Sequence, residues 1–166
     1  MAFVALLRGI NLGAKNKVDM KSLKALFEEM GYENVRTYIQ TGNVMFDNAA
    51  FDVTAIETAL LEKYNFEIPV IVRSREELEE IQRHPIFAKE QVYIMFLANE
   101  TSNEQQVALA ELVDDEFVVW NRKNIIISLS KSYHKTKFTN NFFEKKLRMA
   151  STARNQNTVN KILLKM

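Results

Sequence analysis

The stretch from Phe3 to Gly13, which reads FVALLRGINLG, joins an apolar run typical of a buried strand to a polar loop that contains two glycines. A helix start follows, because Asp19 is a suitable N-cap and apolar residues then recur at helical spacing at Met20, Leu23, Phe27 and Met30. Glycine tolerates a left-handed backbone and the close approach of other groups. This strand, shaped loop and helix therefore set the start of the fold.

The elements after this helix continue in the order of a split β-α-β unit. Val35–Gln40 and Val44–Asp47 have the apolar and β-branched composition of strands, and the turn Thr41–Asn43 separates them. Thr54, with Glu57 three residues later, predicts the capping box of a second helix, and Pro69–Val72 predicts a fourth strand. The resulting order, β-α-β-β-α-β, is typical of a ferredoxin-like unit.

The same order returns in the second half of the chain. An acidic helix begins at a capping box at Ser74 and ends before Pro85, and the strand, helix and hairpin signals then repeat. We therefore predict an α+β protein of two tandem ferredoxin-like (βαββαβ) halves with antiparallel sheets. Residues 1–74 form the N-terminal half, residues 75–90 a linker helix, and residues 91–166 the C-terminal half with an appended helix.

The composition excludes several kinds of chemistry. The absence of cysteine rules out disulfides, thiolate zinc sites, iron–sulfur clusters and thiol nucleophiles. The two histidines, His84 and His134, stand outside any metal-binding motif, so we expect no metal and no cofactor. No catalytic signature is recognisable, and the question of an enzymatic activity stays open. The apolar run near the N-terminus is too short to span a bilayer, so we expect a cytoplasmic protein without a membrane partner.

Three motifs carry a family resemblance. They read LLRGINLG at residues 6–13, TYIQTGNVMF at residues 37–46 and TARNQNTV at residues 152–159. Together they resemble the bacterial domain-of-unknown-function family sixteen-ninety-seven. The resemblance implies a tandem ferredoxin-like fold and no established activity.

A candidate binding site follows from the predicted topology. Strands 1 and 3 of such a unit are antiparallel neighbours, so the loop after strand 1 and the turn before strand 3 should meet at one end of the sheet. Cations, amide side chains and exposed N–H groups there suit a phosphate or carboxylate on a small ligand. The alternative is that the glycines merely turn the chain. The candidate residues are Arg8, Gly9, Asn11, Gly13, Lys15, Lys17, Thr41, Gly42 and Asn43.

The charge distribution suggests a second function. Residues 131–166 contain nine basic residues and one acidic residue, Glu144, although the whole chain has a net charge of only +1. Nucleic-acid binding through this region is one interpretation, and packing against the chain's own acidic helix or against a neighbouring subunit is the other. A structural or oligomer-forming module is a third hypothesis. The basic residues are Lys131, Lys135, Lys137, Lys145, Lys146, Arg148, Arg154, Lys161 and Lys165, of which Lys137, Lys145, Arg148 and Arg154 are the candidate nucleic-acid contacts.

Base stacking on the face of a sheet is disfavoured. RNA-recognition modules stack bases on aromatic side chains of strands 1 and 3. The predicted third strand begins Asn43-Val44-Met45-Phe46 and lacks that aromatic pattern.

Overall fold

The structure is a computed structural model that describes residues 1–112, 116–129 and 135–166, with the backbone alone at 116–118 and 120. The described part leaves out Lys131 and His134. It also leaves out the side chains of Phe117 and Trp120, which the hairpin pattern predicts to be core. The chain forms two compact units. Unit 1 contains Met1–Leu78 and Lys161–Met166, and unit 2 contains Glu79–Asn160.

Unit 1 contains one antiparallel sheet with the strand order β2-β3-β1-β4. Two helices connect its strands, and a third helix, α3 (Arg75–Arg83), follows β4 and continues into unit 2. The bounds are β1 (Ala2–Leu7), α1 (Met20–Glu29), β2 (Glu33–Tyr38), β3 (Asn43–Asp47), α2 (Val53–Tyr64) and β4 (Val70–Ser74).

Unit 2 repeats this arrangement with the strand order β6-β7-β5-β8. A short 3₁₀ helix, Pro85–Ala88, precedes its first strand. The last helix begins in unit 2, and its second half belongs to unit 1. The bounds are β5 (Val92–Leu97), α4 (Asn103–Ala110), β6 (Glu116–Trp120), β7 (Asn124–Ser128), α5 (Asn140–Leu147), β8 (Ser151–Asn155) and α6 (Gln156–Lys165). The predicted α+β class with two antiparallel sheets is confirmed, and the predicted domain boundaries stay a prediction.

The helix caps show which local signals were correct. Asp19 caps α1 by accepting a hydrogen bond from Ser22 N (3.0 Å), and Ser74 and Glu77 form the predicted capping box of α3. The predicted capping box at Thr54 is wrong. Asp52 caps α2 by accepting from Ala55 N (3.1 Å), and Glu57 instead accepts a hydrogen bond from Val70 N at the start of β4 (2.8 Å). The carboxylate of Glu57 therefore binds a backbone N–H of β4 and does not take part in capping α2.

Side chains on both faces of the central strands are buried in each sheet. In unit 1 one face carries Phe3, Ala5 and Leu7 into a core with the helices. Strand alternation places Val4 and Leu6 on the other face, where they are also buried. In unit 2, Met95 and Leu97 lie in the core on one face of β5, and Ile94 and Phe96 on the other face are buried as well. Within the described residues, the central strands therefore offer no open face for stacking bases.

No helix in the described ranges has both the length and the apolar character needed to cross a membrane.

Candidate functional site

The connection between β1 and α1 contains a miniature β-hairpin, which we call the finger and define as residues 11–16. Leu12 and Lys15 exchange two backbone hydrogen bonds of 3.0 Å, and Asn11 N donates to Asn16 O (2.8 Å). Gly13 is the first central residue of the turn and has φ +59°, which is the position that a type II′ turn reserves for glycine. Residues 12–17 are exposed, so the finger projects into solvent.

Asparagine side chains hold the base of the finger. Asn11 Nδ2 donates to Val18 O (3.0 Å) and to Gln40 O (2.8 Å), and its Oδ1 accepts from Val18 N (2.9 Å). Asn16 Nδ2 donates to Gly9 O (3.0 Å). Both asparagines have a left-handed backbone, with φ +50° and +56°, which asparagine tolerates better than most residues. The two asparagines are therefore explained by the backbone angles and hydrogen bonds that the loop needs.

The β1–α1 connection and the β2–β3 turn meet, as the topology predicted. Leu7 N donates to Gly42 O (2.9 Å), and the Asn11–Gln40 hydrogen bond joins the finger to the same turn. Gly42 is buried, and a Cβ atom there would lie 2.7 Å from Ile10 Cδ1. Asn43 is fully buried and donates through Nδ2 to Tyr38 O (2.8 Å) and Thr41 Oγ1 (3.2 Å).

These contacts divide the candidate residues into two groups. Gly9, Asn11, Thr41, Gly42 and Asn43 have contacts that shape the loop and the turn, so the asparagine amides predicted to meet a ligand are used by the protein's own backbone. Thr41 is nevertheless exposed, and the other exposed candidates, Gly13, Lys15 and Lys17, lie on the finger and just after it.

The groups left for a partner are N–H donors and ammonium groups. The backbone N–H groups of Gly13 and Ala14 have no hydrogen-bond partner within the part of the chain that the structure describes. Lys15 and Lys17 are exposed and form no ion pair with any described residue. Arg8 is half-buried and has a contact within the protein. This is a donor-rich, cationic projection.

Unit 2 shows that the fold does not require the finger. Leu97 N donates to Lys123 O (2.8 Å), which matches the Leu7–Gly42 hydrogen bond of unit 1. Yet the connection from β5 to α4 needs only residues 98–102, whereas that from β1 to α1 takes residues 8–19. In unit 2 the first strand is thus joined to the first helix by a shorter segment, and that segment contains no glycine.

The basic residues of the C-terminal region differ in exposure. Lys145, Lys146 and Arg148 are exposed at the C-terminal end of α5, and Lys137 Nζ lies 5.3 Å from the centre of the Phe138 ring. Lys135, Lys161 and Lys165 are exposed as well. Arg154 does not share this exposure. It is 7% exposed, and its guanidinium donates to Thr152 Oγ1 (2.8 Å) and Ala153 O (2.9 Å) of its own strand.

A buried arginine occurs at the matching place of both sheets, a feature absent from the sequence-based prediction. Arg73 pairs with Val4 across β4 and β1, and Arg154 pairs with Ile94 across β8 and β5. Each arginine stands two residues before the helix that follows its strand. The repeated Arg-Ser and Arg-Asn pairs before a helix start were the available signal.

Two titratable groups of unit 1 have shifted pKa values, and neither of them lies in the finger. Burial lowers the pKa of Arg73 to about 10, and the charge of Glu77 opposes this shift. Burial also raises the pKa of Tyr64, and its hydrogen bond with Ser22 Oγ (2.7 Å) opposes this shift. In the described ranges no cluster of histidine and acidic residues could hold a metal ion.

Two α+β units with one antiparallel sheet each, and a finger on the first, define the class of protein structurally. Residues 1–125 match the family described as "Protein of unknown function (DUF1697)", and the chain belongs to that family.

The chain is also similar to a solved structure, the conserved bacterial protein SP0830 from Streptococcus pneumoniae. The two share 26% sequence identity, and the match covers 99% of this chain and 97% of that chain with a TM-score of 0.77. No curated protein matches the chain.

Proposed function

We propose that this protein is a binding module that recognises an anionic group through the finger and the cations beside it. The observation that carries the proposal is the difference between the two units. In unit 2, residues 98–102 are enough to join the first strand to the first helix. In unit 1 the same connection takes residues 8–19 and includes the projecting finger, and the connection exposes N–H donors and two lysines. Such donors and cations suit carboxylate or phosphate oxygens.

The anionic group is carried on a larger partner, because the finger projects instead of enclosing. Pockets for free small molecules are concave and cover most of the ligand's surface. A groove of about 290 Å³ does exist in unit 1, between α2 and the segment before β4. Glu57 and Glu67 line that groove, and their carboxylates repel an anion. The free phosphorylated ligand expected from the sequence therefore has weaker support than an anionic partner surface.

Removal of the two exposed lysines tests this function. We expect the Lys15→Ala/Lys17→Ala variant to bind a fluorescein-labelled polyglutamate peptide about tenfold more weakly than the unmodified protein, measured by fluorescence anisotropy at low salt. Its thermal unfolding midpoint should stay within about 2 °C, since exposed charges contribute little to folding.

The control carries the same loss of charge elsewhere on unit 1. Lys24→Ala/Lys63→Ala removes two exposed lysines from α1 and α2. An equal loss of affinity in both variants would show that net charge, and not the finger, attracts the peptide. Thermal shift measurements with phosphate, nucleotides and organic acids test the free-ligand alternative, which a raised midpoint would support.

Nucleic-acid binding is the second candidate, and the exposed cations at the end of α5 favour it. If they contact phosphates, the logarithm of the affinity for single-stranded RNA should fall linearly with the logarithm of the salt concentration. Lys145→Ala/Lys146→Ala should reduce that slope by about 0.7 for each phosphate that is no longer neutralised. An unchanged slope in this variant, or weak binding at every salt concentration, would exclude this surface. Cations in the last turn would then serve to offset the helix dipole.

The finer architecture belongs to the same proposal. We infer that the chain consists of two ferredoxin-like halves, residues 1–74 and 91–166, the latter with its appended C-terminal helix, and that residues 75–90 form the linker between them. The β-α-β-β-α-β order and the shared strand order of the two sheets support this inference. A cytoplasmic location and a role in oligomer formation stay predictions.

A further inference from the structure

Ile39 has an unfavourable backbone conformation in an exposed position. It follows β2 directly, has φ +48° and is 44% exposed. A β-branched residue in the left-handed region is an outlier, and such strain costs about 1–3 kcal/mol. The turn therefore holds an aliphatic side chain at the surface at a cost to stability.

The matching turn of unit 2 shows what backbone stability alone would favour. Asn121 follows β6 directly, as Ile39 follows β2, and it has nearly the same backbone angle, φ +53°. Asparagine is among the residues that enter this region most readily. Isoleucine at position 39 is thus not explained by the turn.

A second exposed aliphatic side chain lies on the segment that is hydrogen-bonded to this turn. Leu12, on the finger, is 55% exposed. Leu12 is adjacent in sequence to Asn11, and Ile39 is adjacent to Gln40, and the hydrogen bond of 2.8 Å between Asn11 and Gln40 brings the two segments together. Lys15 stands opposite Leu12 in the hairpin. Two exposed aliphatic residues and a cation are therefore carried by the two segments that meet at this end of the sheet.

We propose that Ile39 and Leu12 contact an apolar side chain of the anionic partner, which is an acidic protein segment with interspersed aliphatic residues. The inference rests on the proposed function of the finger and specifies its partner. Protein interfaces commonly combine buried apolar side chains with a surrounding polar rim.

Two other classes of partner fit this surface less well. A membrane surface is held by the continuous apolar face of an amphipathic helix, and a single-stranded nucleic acid by stacking on aromatic rings. Here two aliphatic side chains flank one hydrogen bond.

The experiment compares two labelled peptides of equal length and charge, one with alternating Glu and Leu and one with alternating Glu and Gly. We expect the unmodified protein to bind the Glu–Leu peptide about tenfold more tightly, because it buries additional apolar surface. Ile39→Asn and Leu12→Ser should each lower the affinity for the Glu–Leu peptide about fivefold and leave that for the Glu–Gly peptide unchanged. Val107→Ser removes an exposed apolar side chain from unit 2 and should change neither.

Stability supplies the second measurement. The thermal midpoint of Ile39→Asn should be unchanged or higher, because asparagine relieves the strain of the turn. A fall of several degrees would identify Ile39 as a packing residue and overturn the inference. So would equal affinity for the two peptides, or tighter binding to phosphatidylserine vesicles than to the Glu–Leu peptide.

The two proposals fail in different ways. Equal binding of both peptides, with a clear loss on Lys15→Ala/Lys17→Ala, contradicts only the apolar contact. No binding of either peptide by the unmodified protein contradicts the proposed function of the finger, and the inference with it.

Discussion

Replacing Gly42 with alanine is expected to lower the free energy of unfolding by about 2–4 kcal/mol. The added Cβ would lie 2.7 Å from Ile10 Cδ1 and 2.9 Å from Leu7 Cβ, and the φ of +94° is unfavourable for any residue with a side chain. Both neighbours are buried, so neither can move aside cheaply. Urea unfolding followed by circular dichroism measures the change.

Gly13→Ala is the matched control for Gly42→Ala. Gly13 also has a positive φ, +59°, but nothing lies within 4 Å of the position of its Cβ. Only the unfavourable backbone conformation remains, and the expected loss is about 1 kcal/mol. If the two variants lose the same stability, the contact of Gly42 with Ile10 and Leu7 does not exist in solution.

The second large effect is expected at Asn11. Asn11→Asp keeps the shape of the side chain but replaces the Nδ2 group, which donates to Val18 O and Gln40 O, with an oxygen that repels both carbonyls. We expect a loss of about 2–3 kcal/mol in unfolding free energy at neutral pH. The binding of the polyglutamate peptide should also fall, by at least about tenfold, because the base of the finger is no longer held.

The pH dependence identifies the cause of this loss. The protonated carboxyl can donate one hydrogen bond and the ionised form none, so folding favours the protonated form and raises the pKa of the new carboxyl group. The lost stability should therefore be partly recovered as the pH is lowered towards protonation of that group. Asn48→Asp, which affects one local hydrogen bond to Ala50 O (3.0 Å), is the control and should cost less than about 1 kcal/mol. A loss at Asn11 that does not change with pH would argue against the two carbonyl contacts.

The local signals of the sequence were sufficient for most of the architecture. Asp19 and Ser74 cap their helices as predicted, because a capping side chain needs only neighbours within the first turn. Thr54 shows the limit of this reasoning. Its expected partner Glu57 instead accepts a hydrogen bond from the N–H of Val70, which is distant in sequence, and the residue that caps the helix is Asp52.

The meeting of the β1–α1 loop with the β2–β3 turn was predicted, but the hairpin form of the loop was not. Glycine and asparagine at positions 9–16 indicated a shaped loop, and the expected order of the strands indicated that it would meet the β2–β3 turn. The asparagines looked like ligand groups, since a sequence shows an amide but not its partner. Hydrogen bonds from Asn11 to Val18 and Gln40 use that amide within the protein.

The sequence alone was enough to predict the α+β class, the family and the position of the shaped loop after β1, because strand and helix periodicity, caps and turn residues are short-range properties. The folded structure was needed to show that the finger projects, that the amides of Asn11 and Asn43 bind backbone carbonyls and that Arg154 is buried. It also decided that Ile39 is both strained and exposed. The physical reason is that burial and hydrogen-bond partners depend on residues distant in the chain, and a pattern of neighbouring residues does not contain them.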